Sequence, residues 1–255
     1  MKSLASDQSF YDLRWRAPDD VSERERGRVA ATVRMMPEDC DSVLDIGAGN
    51  GVLSNELVAR GKSVVAVDIS EVALAKVNAP TLKRSADDLS VVADRSYDLV
   101  LCTEMLEHLE DVVYRGALRE FNRVARRAIL ITVPNREHMR ENFAVCAECG
   151  SRYHIWGHRR RFEPADLRSL FPDFEPVSIT SFGANLRVYN RLLLRIRTDI
   201  ANGWAADDVS PCPECHCFRS ASPARPTLAK FCDLLNANLP AVPHKPWLLA
   251  LYRRR

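Results

Sequence analysis

The chain has 255 residues, 46% of them hydrophobic, and a formal charge of +2 at pH 7, enough to bury one large domain or a domain with a small module. The near-neutral balance makes a nucleic-acid partner unexpected, and no apolar run approaches the roughly 20 residues of a membrane span. No signal-peptide core is visible, so cytoplasm is the expected compartment.

Residues 1–20 read as irregular and carry Phe10, Tyr11 and Trp15. Ser22 with Glu25 makes a capping-box signal for a helix to about residue 36. The first strand, 42–46, ends in Asp45 and Ile46 and runs into Gly47-Ala48-Gly49-Asn50-Gly51. A buried strand, a tight turn and a helix start at about residue 52 follow from that pattern. Gly61 closes this helix. The second strand is 63–67, with Asp68 at its carboxyl end. Ser70 caps a helix that Pro80 must end. A weak third strand lies near 81–84, the fourth at 97–102, a helix at 112–125 and the fifth strand at 128–133. These near-continuous apolar strands alternating with helices predict a parallel sheet covered on both faces. Its carboxyl edge, where ligands bind in such sheets, should carry Gly47, Gly49, Asp68, Thr103 and Glu104.

Beyond Pro134 the pattern loosens. A loop is expected over 134–162, a helix over 163–171, a sixth strand over 174–182, an insertion over 184–245 with a helix near 187–200, and a last strand over 247–252. The triplets Arg159-Arg160-Arg161 and Arg253-Arg254-Arg255 read as solvated surface. No internal repeat appears.

The arrangement Asp45-x-Gly47-x-Gly49-x-Gly51, Asp68 nineteen residues after Gly49, Ser85-Ala86-Asp87-Asp88-Leu89, Tyr97-Asp98-Leu99-Val100 and Glu104-Met105-Leu106-Glu107-His108 resembles the class I S-adenosylmethionine (SAM)-dependent methyltransferases, in particular a bacterial small-molecule group with Cys-x-x-Cys insertions. The resemblance covers roughly residues 40–135. It implies a three-layer α/β/α sandwich whose mostly parallel seven-stranded sheet has an antiparallel last strand. It also implies that Gly47, Ala48 and Gly49 line the methionine moiety of SAM with Asp45 near its amino end. Asp68 would hold the ribose, Ile69 would pack on the adenine, and Ala86 would lie beside the ring. Where the family places an acid or amide before this alanine, Ser85 stands here, with Asp87 as a substitute acceptor; Thr103 completes the cofactor edge. An N-terminal segment, 1–40, would cap a core formed by 41–183 and 246–255.

Eight cysteines in a leaderless chain, two pairs of them with Cys-x-x-Cys spacing, point to metal rather than disulfides. Cys146, Cys149, Cys212 and Cys215 are the preferred ligands of a structural Zn2+ that ties insertions 134–162 and 184–245 into a lid. His154, His158, His216 and Cys217 are rival ligands. Cys40, Cys102 and Cys232 read as packed thiols.

Glu104 and His108 follow the fourth strand, where an acceptor should approach the methyl group, and His108 is the natural proton acceptor. Tyr11, His154, Trp156, His158 and Arg159 are candidate acceptor contacts. The expected activity is methyl transfer to a small-molecule acceptor, with O-methylation of a sugar, glycan precursor or secondary metabolite leading. Two alternatives remain at this point. The Glu-x-x-Glu-His run with His158 resembles metal-dependent RNA 3′-terminal 2′-O-methyltransferases, and a non-catalytic SAM-binding or zinc-mediated interaction protein is the other. Oligomeric state is open.

Overall fold

The computed structural model describes residues 4–16, 21–206, 210–221, 226–240 and 243–255. It divides into two compact units. Unit 1 comprises Met1–Asn135, Phe162–Ala184 and Lys245–Arg255, and unit 2 comprises Arg136–Arg161 and Asn185–His244.

Unit 1 runs α1 (Leu4–Arg14), α2 (Glu23–Met35), β1 (Ser42–Ile46), α3 (Val52–Ala59), β2 (Ser63–Asp68), α4 (Glu71–Leu74), β3 (Thr81–Lys83), β4 (Tyr97–Thr103), α5 (Asp111–Val124), β5 (Ala125–Pro134), β6 (Phe174–Phe182) and β7 (Trp247–Arg254). The seven strands form one sheet in the order β3-β2-β1-β4-β5-β7-β6. Strand β7 is antiparallel to both neighbours, with Leu130 opposite Leu251 and Ile179 opposite Ala250, and the other pairings are parallel. This is the α/β/α architecture with a reversed last strand that the resemblance implied.

The strands are apolar throughout because successive side chains point to opposite faces and both faces are buried. Leu44, Ile46, Val100, Cys102, Ile129 and Ile131 pack on one side against Ala117, Phe121 and Val124 of α5. Val43, Leu99, Leu101, Ala128 and Leu130 pack on the other against Leu53 and Leu57 of α3 and Val29 of α2. Phe121 is fully buried, and cutting it to alanine would cost about 3–5 kcal/mol. Asp98 ties β4 to the start of β1, its Oδ2 accepting from Ser42 Oγ at 2.8 Å and from the Ser42 amide at 3.2 Å.

Several elements differ from expectation. Residues 4–14 are helical, because Tyr11 and Trp15, four apart, share a face that finds partners elsewhere in unit 1. Helix α4 is a single turn and stops well before Pro80. Residues 164–169 are successive turns rather than a helix. Asp166 Oδ2 accepts from the Glu163 amide, and the Leu167 carbonyl accepts from Tyr252 Oη, so local side-chain bonds compete with the helical ladder. The terminal arginines are not free surface charges: Arg253 pairs with Asp39, and the Arg254 guanidinium donates to the Asn122 and Ala125 carbonyls.

In unit 2 the expected 134–162 loop contains a hairpin, Phe143–Val145 against Arg152–His154. The helix expected near 187–200 is Arg191–Arg195, continued by a wider turn over Ile196–Ile200. A helix over Thr227–Asn238 was not foreseen. It buries Ala229 and Cys232 but leaves Leu228, Phe231, Leu234 and Leu235 exposed, so its sequence lacks a one-sided apolar stripe. Arg187 donates to the Asn236 and Leu239 carbonyls at its carboxyl end, as a cation there should.

Candidate cofactor edge and cysteine centre

The carboxyl edge of unit 1 is built mainly from backbone. Gly47, Gly49 and Gly51 have φ of 75°, 54° and 77°, the left-handed region that favours glycine. A Cβ on Gly47 would lie 2.4 Å from Met105 Cγ, and one on Gly49 would lie 2.7 Å from Trp15. The amides of Gly47 and Ala48 both donate to the Val67 carbonyl, at 2.8 and 3.1 Å, pinning the turn to β2. Asp68, at the end of β2, accepts from the Gly49 amide and the Ser70 amide, each at 2.9 Å. Burial raises its pKa while these backbone bonds oppose the rise. Ile69 next to it is half-buried.

Asp45 is almost fully buried. Its Oδ2 accepts from Ser54 Oγ at 2.6 Å, and its Oδ1 has no hydrogen-bond partner among the described residues. Burial, aided by the nearby Asp68 charge, pushes its pKa up to about 6 against the Ser54 hydrogen bond. A buried carboxylate oxygen without a donor is costly. A ligand with an ammonium group at this turn and a ribose at Asp68 satisfies both acids, so the residues present fit SAM.

Beyond β3, Ser85 Oγ donates to Asp87 Oδ1, and Ala86 is buried between them. Asp87 Cβ lies where a Cβ on Gly116 of α5 would have to be, at 2.4 Å. The Asp87 carboxylate therefore holds Ser85 in place. Arg123 of α5 braces the following loop by donating to the Leu89 and Val92 carbonyls, both at 2.8 Å, and to Asp94 at 2.7 Å. The sequence pattern did not reveal this brace.

Thr103 ends β4 half-buried, and Glu104 after it has φ of 54°, unusual for a non-glycine residue. Its conformation is held on three sides. The Glu104 amide donates to the Thr132 carbonyl at 2.9 Å, Oε1 accepts from Thr132 Oγ1 at 3.1 Å, and Oε2 accepts from Trp247 Nε1 at 2.8 Å. His108 ends a single tight turn, Leu106–His108, with Nε2 3.9 Å from Oε1 of the fully buried Glu107, beyond hydrogen-bond reach. Tyr11 of α1 meets the His108 ring edge-on, 6.1 Å between centroids. Helix α1 is further tied to this edge by Asp12, which accepts from Ser70 Oγ at 2.5 Å, and by the Trp15 carbonyl, which accepts from Lys76 Nζ at 2.8 Å.

In unit 2 the sulfurs of Cys146, Cys149, Cys212 and Cys215 lie within 4.8 Å of one another. The two pairs sit on turns with the same bonding. The Cys146 amide donates to the Ser151 carbonyl and the Gly150 amide to the Cys146 carbonyl; likewise the Cys212 amide donates to Cys217 and the His216 amide to Cys212. Gly150 and His216 occupy the equivalent left-handed position. The crossed pairs Cys146–Cys215 and Cys149–Cys212 have sulfurs 3.5 and 3.7 Å apart. Tetrahedral zinc–thiolate bonds of about 2.3 Å imply edges near 3.8 Å. Ser151 hydrogen-bonding pulls the Cys149 thiol down to about 6. A backbone bond from Cys217 favours the Cys215 thiolate, but Cys146 and the other thiols push Cys215 up to about 12. Four thiols this close need a cation to ionise together, so the donor set fits Zn2+. Cys217 instead accepts from the Arg219 amide.

His154 and His158 form a different group, around Glu137. His158 Nδ1 bonds Glu137 Oε2, His154 Nε2 lies 3.3 Å from Oε1, and the imidazoles stack 4.8 Å apart. Burial works to raise the Glu137 pKa, but the two histidine hydrogen bonds hold it well below the usual carboxylate range. Trp156 and Arg159, also in unit 2, are exposed, whereas Tyr11 belongs to unit 1. No helix among the described residues is long and apolar enough to cross a membrane.

The family model described as "Methyltransferase domain" matches residues 20–175. The ubiquinone biosynthesis O-methyltransferase of Nitrosomonas europaea is 38% identical over 79 residues, 28% of this chain and 34% of that protein; the chain thus matches about a third of the length of such relatives. Among solved structures, a SAM-dependent methyltransferase from Mesorhizobium loti shares the fold at TM-score 0.53 and 18% identity, covering 88% of this chain and 96% of the other. The magnesium protoporphyrin IX methyltransferase from Synechocystis PCC 6803 with bound SAH does so at TM-score 0.54 and 14% identity, covering 99% and 100%.

Proposed function

The chain belongs to the methyltransferase-domain family, of the class I SAM-dependent type, and from that premise we propose that it transfers the methyl group of SAM to an oxygen of a small-molecule acceptor in the cytoplasm. The observation that carries this is the edge formed by Asp45, the Gly47–Gly51 turn and Asp68, with an unpartnered buried oxygen on Asp45. Asp45 receives the ammonium group, Asp68 the ribose hydroxyls, Ile69 and Ala86 the adenine, and Gly47 to Gly49 the chain that leads to the sulfur. When bound, the cofactor supplies an electrophilic methyl group.

Glu104 keeps the edge in shape by linking β4, β5 and β7, while His108 and Tyr11 wall its acceptor side. Alignment and exclusion of water are what such a displacement asks of the protein. Residues 1–40 serve as a cap, in keeping with Trp15 on Gly49. The insertions 134–162 and 184–245 follow β5 and β6 in the chain, and we assign acceptor choice to them. A structural Zn2+ on Cys146, Cys149, Cys212 and Cys215 holds them together. Relatives named O-methyltransferases support oxygen as the target atom; a sugar, glycan precursor or secondary metabolite is the acceptor class we propose.

The test is turnover of methyl-labelled SAM with fractionated small-molecule extracts. Label appearing in a base-stable ether product supports the reading. Tight cofactor binding with no transfer to any fraction would instead favour a SAM-responsive interaction protein.

A further inference from the structure

The Thr227–Asn238 helix of unit 2 presents its larger apolar side chains to solvent. The side it buries carries Ala229, Cys232 and Asn236, which are small or polar. Leu228 and Leu235 are 41% and 40% exposed, and Phe231 and Leu234 are 54% and 61% exposed. At 3.6 residues per turn these four lie within about a third of the helix circumference, with the exposed Lys230 at its rim. A second helical segment packs antiparallel to this helix within unit 2. Asn236 Oδ1 accepts from the Asn190 amide at 2.8 Å, Asp233 meets Arg197 at 3.1 Å, and a Cβ on Gly203 would lie 2.7 Å from Ala229. That segment adds Leu192 and Ile200, 67% and 72% exposed, and the exposed Arg191 and Arg195.

The uncompensated charges beside these apolar side chains have one sign. Asp233 is held by Arg197 and Tyr189, and Asp199 by Arg140. Arg191, Arg195 and Lys230 are left without an acidic partner among the described residues. The same sign prevails in the whole unit: unit 2 carries thirteen arginines and lysines against eight acids, although the full chain is nearly balanced, 36 against 34. Such asymmetry within one chain points to an anionic partner, and exposed apolar side chains in its midst point to a lipid surface. A second copy fits less well. Two copies meeting here would bring like charges together, and one helix of 12 residues offers less than the roughly 800 Å² per partner of a stable interface.

We propose that this helical pair docks unit 2 on the surface of an anionic bilayer. The outward side chains of Thr227–Asn238 enter the boundary between headgroups and acyl chains, and Arg191, Arg195 and Lys230 reach the lipid phosphates. The helix lies in the plane of the interface and is too short to cross the bilayer. Nothing in the proposal uses the cofactor edge, so it stands apart from the methyl-transfer reading.

The test is sedimentation of the full chain, in zinc-containing buffer, with phosphatidylcholine vesicles made with and without phosphatidylglycerol. Binding should favour the anionic vesicles and weaken as salt rises. Phe231→Ser/Leu234→Ser should lower the partition coefficient by about 100-fold or more, and Arg191→Gln/Arg195→Gln/Lys230→Gln by about 100-fold, with SAH affinity unchanged in both. Phe231→Trp should gain emission that brominated phosphatidylcholine quenches, which a purely electrostatic contact would not give. No sedimentation with anionic vesicles, or an unchanged coefficient in Phe231→Ser/Leu234→Ser, overturns the proposal. A lipid-free dimer that the same variant dissociates overturns it in favour of a second copy. A wild-type chain that binds the vesicles but no SAH counts against the methyl-transfer reading and leaves the docking surface intact.

Discussion

The two units hold their sites by different means. In unit 1 the cofactor edge is made of main chain: a glycine turn, strand ends and the amides they point at Asp68, all carried by a sheet with apolar layers on both faces. Among the described residues of unit 2 the clustered core is Ala144, Cys146, Tyr153 and Cys212, with Leu194, Trp204 and Ala229 buried elsewhere, and order also comes from side chains: the four thiols, the Glu137 group, and Arg197 with Asp233 at 3.1 Å. A segment with so small a core needs a staple to stay folded. A metal staple fixes a shape while leaving most of the surrounding sequence free to vary with the acceptor.

The largest expected effect divides the units most sharply. Cys212→Ser/Cys215→Ser, or chelation, should remove about 10 kcal/mol or more of metal-linked folding free energy from unit 2. Hydrogen exchange should then show 136–161 and 185–244 unprotected while β1, β4 and β5 keep full protection. Equal loss in both units would break the comparison. Next, Gly49→Val forces a branched side chain into φ of 54° against Trp15, and cofactor affinity should fall by more than about 100-fold through several kcal/mol of strain. The cysteine centre should bind zinc in that variant as well as in the wild type, which elemental analysis after zinc loading would check.

Smaller is the effect of pH. Burial raises Asp45 to about 6, above the unfolded carboxyl value near 4. Without cofactor, this group makes the fold more stable as pH falls from above 6 towards 4, because the folded state takes up the proton first. The proposed contact between the SAM ammonium and Asp45 needs the ionised form, so the Kd for SAM should rise by about tenfold between pH 7 and pH 5. A flat calorimetric profile would show that the ammonium does not sit on Asp45. The smallest effect is that of Trp247→Phe, which removes the donor to Glu104 Oε2 and should destabilise unit 1 by about 1 kcal/mol in chemical denaturation.

The same contrast explains what the residues revealed in advance. Strands β1 to β5, the glycine turn and Asp68 were legible, because burial on both faces makes continuous apolar runs and a ligand at the main chain demands glycine. The cysteine pairs were legible through spacing alone. Glu137 was not, since a single acid between Arg136 and His138 has no periodic or motif signature, and its partners are fixed only when the 143–154 hairpin forms. Helix α1 and the Thr227–Asn238 helix were missed for a related reason. The first is decided by tertiary contacts of Asp12 and Trp15, and the second is apolar around most of its circumference.

The central claim is that the glycine turn and Asp68 of unit 1 hold SAM. Isothermal titration of SAH into the wild type and Asp68→Ala tests it most directly. The account predicts one saturable site per chain, weakened by about 10–100-fold in the variant, as loss of hydrogen bonds to a charged group implies. No binding to the wild type, or equal affinity in the two proteins, would contradict it.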